Sequence, residues 1–171
     1  MLVFCQQIFH YTMATTKNQD KSSGTTNQEL LILNKLPGKW TVEGWFKSDP
    51  DTTVSGSESY FWLPGGYFLQ SNGETNTNFK GEEISKYEGT MIIGRNHLQA
   101  GHFTGHLFDS GGGSGEWLYE VTETVFNISN CQFRFIGKFN QDNTVITGFW
   151  EVSKGEGNWK FWYDKKMTKQ K

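Results

Sequence analysis

The chain has 171 residues, enough for one domain, and none of its apolar runs approaches the ~20 residues that a membrane-spanning helix needs. Its 16 basic and 18 acidic side chains are spread along the sequence with a net charge of −2, which disfavours a nucleic-acid partner because phosphate binding needs a concentrated basic surface. The low mean hydropathy of −0.60 predicts a soluble protein, and two isolated cysteines, Cys5 and Cys131, favour a reducing compartment, the cytoplasm.

The composition combines many aromatic residues with many glycines. Aromatic side chains make up 16% of the chain, including 7 Trp and 14 Phe, and there are 20 Gly against 3 Pro. Aromatic side chains at this density belong in a packed interior or around a cavity, because each buries a large apolar area. Glycines at turns and bends are typical of a chain that forms many short strands.

The N-terminal segment offers little to pack, since residues 15–26 contain only small and polar side chains. We predict that residues 1–26 form a disordered leader and that residues 27–171 form a single β-barrel domain. A helix is predicted to begin at 26–29 (Thr-Asn-Gln-Glu), which has the spacing of a capping box, and to end at Pro37-Gly38.

From Gly38 onward the apolar pattern repeats every two residues, as in a β-strand. In the segment 131–139, one face carries Cys131 and three phenylalanines, and Phe133 and Phe135 are predicted to point into the barrel. The strand candidates are 40–46, 54–63, 67–73, 85–94, 98–109, 116–121, 124–129, 131–139, 144–152 and 158–167.

About ten short strands separated by turns predict an all-β fold. Short connections, such as the turn signal at 49–51 (Asp-Pro-Asp), require antiparallel neighbours. A sheet of this size tends to close, because closure removes its exposed edges. We predict an antiparallel calycin-like or lipocalin-like closed barrel of about ten strands with one short N-terminal helix, and a β-sandwich is the alternative.

Several motifs resemble known barrel families. The segment 36–44 (Leu-Pro-Gly-Lys-Trp-Thr-Val-Glu-Gly) is similar to the Gly-x-Trp opening strand of calycins and to the pattern of nitrobindin-like haem proteins, which have a further glycine where Val42 stands. The segments 63–69 (Leu-Pro-Gly-Gly-Tyr-Phe-Leu), 87–94 and 103–110 resemble an uncharacterised family of lipocalin-like barrels, a domain of unknown function. This resemblance covers most of the chain from residue 30 and implies a fold, but no activity.

The histidine pair His102 and His106 has a spacing that brings two metal ligands together on a helix. On a strand, however, four residues span ~13 Å, so two imidazoles cannot share one ion. We therefore predict no metal site and no cofactor, and we place both imidazoles on the solvent face, opposite Phe103 and Leu107.

Other reactive residue types have simpler interpretations. The glycine-rich run 111–115 is interpreted as a hairpin turn, because no Lys-Ser/Thr pair and no helix follow it as in a phosphate-binding loop. Asp109 and Ser110 are suited to closing that turn. The neighbouring carboxylates Glu82 and Glu83 are predicted to lie in a polar loop.

Two further predictions concern the C-terminal lysines and the thiol of Cys131. The lysines at 165, 166, 169 and 171 are interpreted as a solvated, fraying C-terminus. Cys131 is interpreted as an inert buried thiol. No catalytic residue is predicted.

The aromatic residues support two interpretations, core packing and the wall of a pocket. In both, Trp40 plugs the closed end beside the helix. If there is a pocket, either Tyr163 or Asp109 serves as a polar anchor among apolar neighbours. The predicted ligand-binding residues are Phe46, Met91, Phe103, Leu107, Asp109, Phe133, Phe135 and Tyr163.

We predict a binding barrel that holds a small apolar or amphipathic molecule. The alternatives are a nitrobindin-like haem protein, a barrel enzyme of the cyclase or isomerase type, and a partner-binding protein with Trp45 and Trp162 as exposed aromatics. The haem alternative needs an imidazole directed into the lumen, and the last predicted strand contains none.

Overall fold

The computed structural model describes residues 26–99 and 101–171, so the predicted leader lies almost entirely outside the described residues. These residues form a closed barrel of ten antiparallel strands preceded by one short helical segment. The predicted fold class is confirmed, and the barrel is the correct alternative to the sandwich. No helix in the described part of the chain is both long and apolar enough to cross a bilayer.

The strands follow one another around the barrel as a meander, and β1 closes it by pairing with β10. The helical segment consists of α1 (Thr26–Leu30) and a 3₁₀ helix (Leu31–Lys35). The ten strands are β1 (Gly38–Phe46), β2 (Asp49–Trp62), β3 (Leu69–Phe79), β4 (Glu82–Arg95), β5 (His102–Asp109), β6 (Ser114–Val121), β7 (Val125–Ser129), β8 (Phe133–Phe139), β9 (Val145–Ser153) and β10 (Trp159–Lys169).

The helical segment lies across one end of the barrel and is tied to its rim by ion pairs and hydrogen bonds. The Lys35 ammonium donates to the carbonyl oxygens of Thr122 and Glu123 in the β6–β7 turn, at 3.2 and 2.8 Å. Glu29 forms an ion pair with Arg95 at the end of β4, with 2.7 Å between Oε2 and Nε. These contacts close this end, so any entrance to the lumen lies at the other.

Trp40 fills the barrel interior directly behind the helical segment, as predicted. Its side chain is fully buried, and its indole N–H donates to the Leu36 carbonyl oxygen at 2.8 Å. Leu33 packs in the same buried cluster. Lys169 places its ammonium 5.3 Å from the Trp40 ring centroid and donates to the Lys35 carbonyl oxygen at 3.0 Å.

A group of edge-to-face aromatic rings occupies the closed half of the lumen. Phe126 lies 6.2 Å from Phe135 and 5.6 Å from Phe139, measured between ring centroids. The Phe135 ring needs glycine beneath it, since a Cβ at Gly137 or Gly148 would lie 2.3 or 2.8 Å from ring atoms. The aromatic content therefore serves core packing in this half of the barrel.

The structure differs from the sequence predictions at two connections. The β1–β2 turn lies at residues 47–48, and the predicted turn residues 49–51 open β2 instead. Glu82 and Glu83 begin β4 and do not lie in a loop. Both strands are longer than the apolar pattern indicates, because their outer ends pair with β3 although their side chains there are largely exposed.

The predictions for the last strands also need correction. Lys165 and its neighbours lie in β10, so they are not a fraying tail. A register shift at Trp162 interrupts the predicted alternation, and Phe161 packs against Phe149 on the outer face. Cys131 is exposed and precedes β8, so the predicted burial of its thiol is wrong.

Replacing Phe135 by alanine is expected to lower the free energy of unfolding by about 3–5 kcal/mol, because the surrounding rings and strands cannot collapse into the space. Phe133→Ala should cost less, since that ring is partly exposed, and Gln132→Ala at an exposed turn should change it by under about 0.5 kcal/mol. Urea denaturation followed by circular dichroism measures all three. Equal losses would contradict the register of β8.

Candidate functional site

The open end of the barrel carries apolar side chains that point inward but stay partly exposed. We call Phe46, Leu107, Trp117, Phe133 and Tyr163 the mouth residues. The rings of Phe46 and Tyr163 lie 5.1 Å apart, measured between centroids. Phe46 continues the phase of the buried Val42 on β1, and Tyr163 has the phase of the buried Met167 on β10. Inward-facing side chains that solvent still reaches leave apolar surface exposed at this end of the barrel.

An aromatic ring at the β10 register shift borders the mouth. Trp162 is 42% exposed and packs edge-on against Tyr163, with 4.9 Å between centroids, and against Phe133 at 5.6 Å. The predicted exposure of Trp162 is therefore observed, and so is that of Trp45, which is 45% exposed on the outer face. The shift adds one aromatic side chain to the rim of the mouth.

The predicted ligand-binding residues divide into three groups. Phe46, Leu107, Phe133 and Tyr163 are mouth residues, and ring contacts join Phe46 to Tyr163 and, through Trp162, Tyr163 to Phe133. Met91, Phe103 and Phe135 are buried deeper in the core, at 9%, 1% and 1% exposure. Asp109 lies apart from both groups, in the β5–β6 hairpin.

Asp109 has the turn-closing role that the sequence indicates. Its Oδ1 accepts hydrogen bonds from the backbone N–H groups of Gly111 and Gly113, at 2.9 and 2.8 Å. A Cβ at Gly113 would approach the carboxylate to 2.6 Å, so glycine is required for this closure. The position of Asp109 makes it a poorer candidate for the polar anchor than the groups that face the lumen.

A charged pair lies in the lumen below the mouth. Lys165 on β10 and Glu58 on β2 form an ion pair with 2.5 Å between Nζ and Oε1, and their side chains are 7% and 16% exposed. The Tyr60 hydroxyl donates to the other carboxylate oxygen, Oε2, at 2.6 Å. The Lys165 ammonium also lies 5.8 and 6.0 Å from the ring centroids of Phe135 and Trp150. We call Glu58, Tyr60 and Lys165 the polar cluster.

Electrostatics keep the carboxylate of this cluster charged and the nearby phenols neutral. Burial raises the pKa of Glu58, but the Lys165 ammonium and the hydrogen bonds from Lys165 and Tyr60 outweigh it, so the pKa lies below its ordinary value. Burial, reinforced by the Glu58 charge, raises the pKa values of Tyr60, Tyr119 and Tyr163. Their hydroxyl groups therefore stay protonated at neutral pH.

Trp150 lies between the polar cluster and the mouth. Its ring centroid is 6.0 Å from that of Trp117 and 5.5 Å from that of Phe135. Its indole Nε1 is buried, and none of the described residues accepts a hydrogen bond from it. A buried N–H without an acceptor is uncommon in native proteins.

Sequence reasoning missed Glu58, Tyr60, Lys165 and Trp150, although a signal for two of them was present. Glu58 alternates in phase with Val54 and Tyr60, and Lys165 alternates in phase with Tyr163 and Met167. A charged residue in the apolar phase of a strand indicates a buried charge. For Lys165, the basic composition of the chain end concealed this phase.

The described histidines do not reach the lumen. His106 is exposed and pairs across the sheet with Ile92 and Glu116, and His102 contacts Gln99 at 3.2 Å outside the barrel. Phe103 on the same strand is buried, as the predicted register requires. Within residues 26–99 and 101–171, no group of three or more His, Cys, Asp or Glu side chains is arranged to hold a metal ion.

A groove of about 500 Å³ lies on the outer face of β2, β3 and β4 and beside the end of β5, where Asp109 contributes to its wall. Its walls carry hydroxyl, amide and carboxylate groups, among them those of Ser57, Asn72, Glu88 and Thr90. The groove is wide open to solvent and includes none of the mouth residues. We therefore take the lumen as the candidate site.

Comparison with known proteins supports the fold. No family model matches the sequence, and no curated protein matches it. Among solved structures, Rv2717c from M. tuberculosis is similar, with a TM-score of 0.56 and 13% identity over 84% of this chain and 98% of that chain. A de novo designed fluorescence-activating β-barrel gives a TM-score of 0.43 and 12% identity over 80% of this chain and 95% of that one. The first likeness shows a shared barrel fold and nothing about activity.

Removing one member of the buried ion pair is expected to be costly. Lys165→Met should lower the free energy of unfolding by about 3–5 kcal/mol, because it leaves the Glu58 carboxylate buried without a counter-charge. The double variant Glu58→Met/Lys165→Met should recover most of that loss. Lys166→Met, which breaks a surface pair with Glu43 (3.6 Å), should cost under about 1 kcal/mol. Chemical denaturation of these proteins and of Glu58→Met gives the coupling energy, and additive single and double losses would contradict the pair.

The same variants test how the free energy of unfolding depends on pH. Because the folded-state pKa of Glu58 lies below the ordinary value of 4.5, its contribution to stability is present above that pH and is lost as pH falls through the folded value. In Lys165→Met the Glu58 carboxyl has lost its counter-charge and prefers to be protonated. Lowering the pH should therefore reduce the difference in free energy of unfolding between this variant and the unmodified protein. A difference that stays constant between neutral pH and pH ~4 would contradict this assignment.

A haem titration tests the outward position of the described histidines. We expect at most a broad, non-specific Soret change that His106→Ala leaves unaltered, because this imidazole faces away from the lumen. Absorbance titration of the full chain and the variant makes the comparison. A sharp stoichiometric Soret band that His106→Ala abolishes would overturn the register of β5.

Proposed function

We propose that this barrel binds a small apolar or amphipathic molecule in the open half of its lumen. The observation that carries the proposal is a set of inward-facing, partly exposed mouth residues above a buried polar cluster. A guest that covers these rings removes apolar surface from water, which contributes about 25 cal/mol for each Å². The polar cluster offers a fixed orientation for a polar end of the guest.

The ion pair supports binding more than it supports stability. Desolvating two charges offsets most of their attraction, and well-packed apolar side chains of similar size often stabilise a core better. The closed half of this barrel shows such packing around Phe126 and Phe135. A Lys–Glu pair at the boundary between the packed half and the open half fits a recognition role.

An enzyme of the cyclase or isomerase type is a second candidate, favoured by one observation. Tyr60, Glu58 and Lys165 form a connected chain of proton donors and acceptors that faces the lumen. Such groups serve as general acids and bases when a substrate reaches them. Binding is common to both candidates, so a binding experiment precedes any assay of turnover.

Three broader predictions accompany the proposed function. They are membership of the lipocalin-like family of unknown function, a location in the cytoplasm, and the lack of nucleic-acid and membrane partners. The first is supported by the motifs at 63–69 and 103–110, and the last by the mixed surface charge. They remain predictions.

An uncharged fluorescent probe tests the proposed function. Phenylnaphthylamine should bind the full chain one to one with blue-shifted emission, and Phe46→Ala should weaken binding about tenfold, equivalent to about 1.4 kcal/mol of lost contact. Trp45→Ala is the matched control, because this neighbouring ring lies on the outer face and is 45% exposed. Fluorescence titration with circular dichroism of each variant measures both effects. A lack of saturable binding, or equal weakening by the two variants, would count against a lumen site.

A further inference from the structure

Trp150 presents a hydrogen-bond donor that the described residues leave unused. Its indole Nε1 is buried and has no acceptor among them, while its ring packs against lumen side chains, those of Trp117 and Phe135. The N–H of an indole is a donor only, so it can be satisfied by nothing but an acceptor atom. An oxygen or similar atom of a molecule that enters the lumen would meet this requirement.

The carboxylate oxygens of the polar cluster already have partners. The Glu58 carboxylate accepts from Lys165 through Oε1 and from the Tyr60 hydroxyl through Oε2. The Tyr163 hydroxyl at the mouth stays protonated because burial raises its pKa, and it adds a second donor. Beside this cluster, the Trp150 indole N–H is a buried donor that the described residues leave without an acceptor.

The charge of the polar cluster limits the charge of the guest. Lys165 and Glu58 neutralise each other, with 2.5 Å between them and side chains that are at most 16% exposed. An anionic guest would bring an unpaired charge close to the Glu58 carboxylate, and a cationic guest would compete with Lys165 for it. Burying an unpaired charge is strongly unfavourable, so a neutral polar end fits best.

We infer that the guest of the lumen carries an uncharged carbonyl-type oxygen that accepts a hydrogen bond from the Trp150 indole. The chemical class is a neutral ketone, aldehyde, ester or amide on an apolar body. The inference rests on the proposed function, because it names the polar end of a molecule bound at that same site. It goes further in assigning the recognition of that end to Trp150.

Four naphthalene derivatives with one apolar body and different polar ends test the inference. They are ethylnaphthalene, naphthyl methyl ketone, naphthoate and naphthylmethylammonium, titrated into the full chain by calorimetry. The ketone should bind about tenfold more tightly than the hydrocarbon, because one hydrogen bond between neutral groups contributes about that much affinity. It should also bind at least about tenfold more tightly than either ion. Trp150→Phe keeps an aromatic ring but removes the N–H, so it should bring the ketone to the affinity of the hydrocarbon.

Controls separate the inference from its premise. The hydrocarbon affinity of Trp150→Phe should equal that of the unmodified chain, which shows that the variant folds with an intact lumen. Trp45→Phe makes the same change on the outer face, and it should leave the ketone preference unaltered. If the ketone preference is missing, survives in Trp150→Phe, or gives way to a preference for naphthoate, the inference is wrong and lumen binding stands. If none of the four compounds binds, the proposed function itself fails.

Discussion

The ion pair between Lys165 and Glu58 is the interaction around which the interior of this barrel is organised. Its members are 107 positions apart, on β10 and β2, which both flank β1. They meet only when the sheet closes, so the pair exists only in the complete barrel. Because each charge is nearly removed from water, the surrounding groups must satisfy them, and Tyr60 does so for the second carboxylate oxygen.

The pair also marks the boundary between two halves of the lumen with different physical roles. On one side, Trp40 and the edge-to-face rings around Phe126 fill the space and contribute to stability. On the other side, inward-facing rings such as Phe46 and Tyr163 remain within reach of solvent. The 3₁₀ helix closes the filled end, so the packed half and the half proposed to bind a guest lie along one axis of the same barrel.

Much of the fold could be predicted from the sequence, because alternation and turn residues are local signals. They indicated about ten strands, the closing helix, the plug at Trp40 and four of the mouth residues. The buried state of Lys165 could not be derived in this way, since it depends on a partner on β2 that only closure brings near. The register shift at Trp162 and the exposure of Cys131 likewise depend on pairing with neighbouring strands.

A crystal structure of the full chain soaked with naphthyl methyl ketone tests most directly whether the lumen binds a neutral guest. We expect electron density for the naphthalene ring among Phe46, Trp117 and Tyr163, with the ketone oxygen within hydrogen-bond distance of the Trp150 indole nitrogen. The Lys165–Glu58 pair should remain intact beneath it. Density for the compound only on the outer face of the barrel, or a mouth filled by the protein's own side chains, would contradict binding in the lumen.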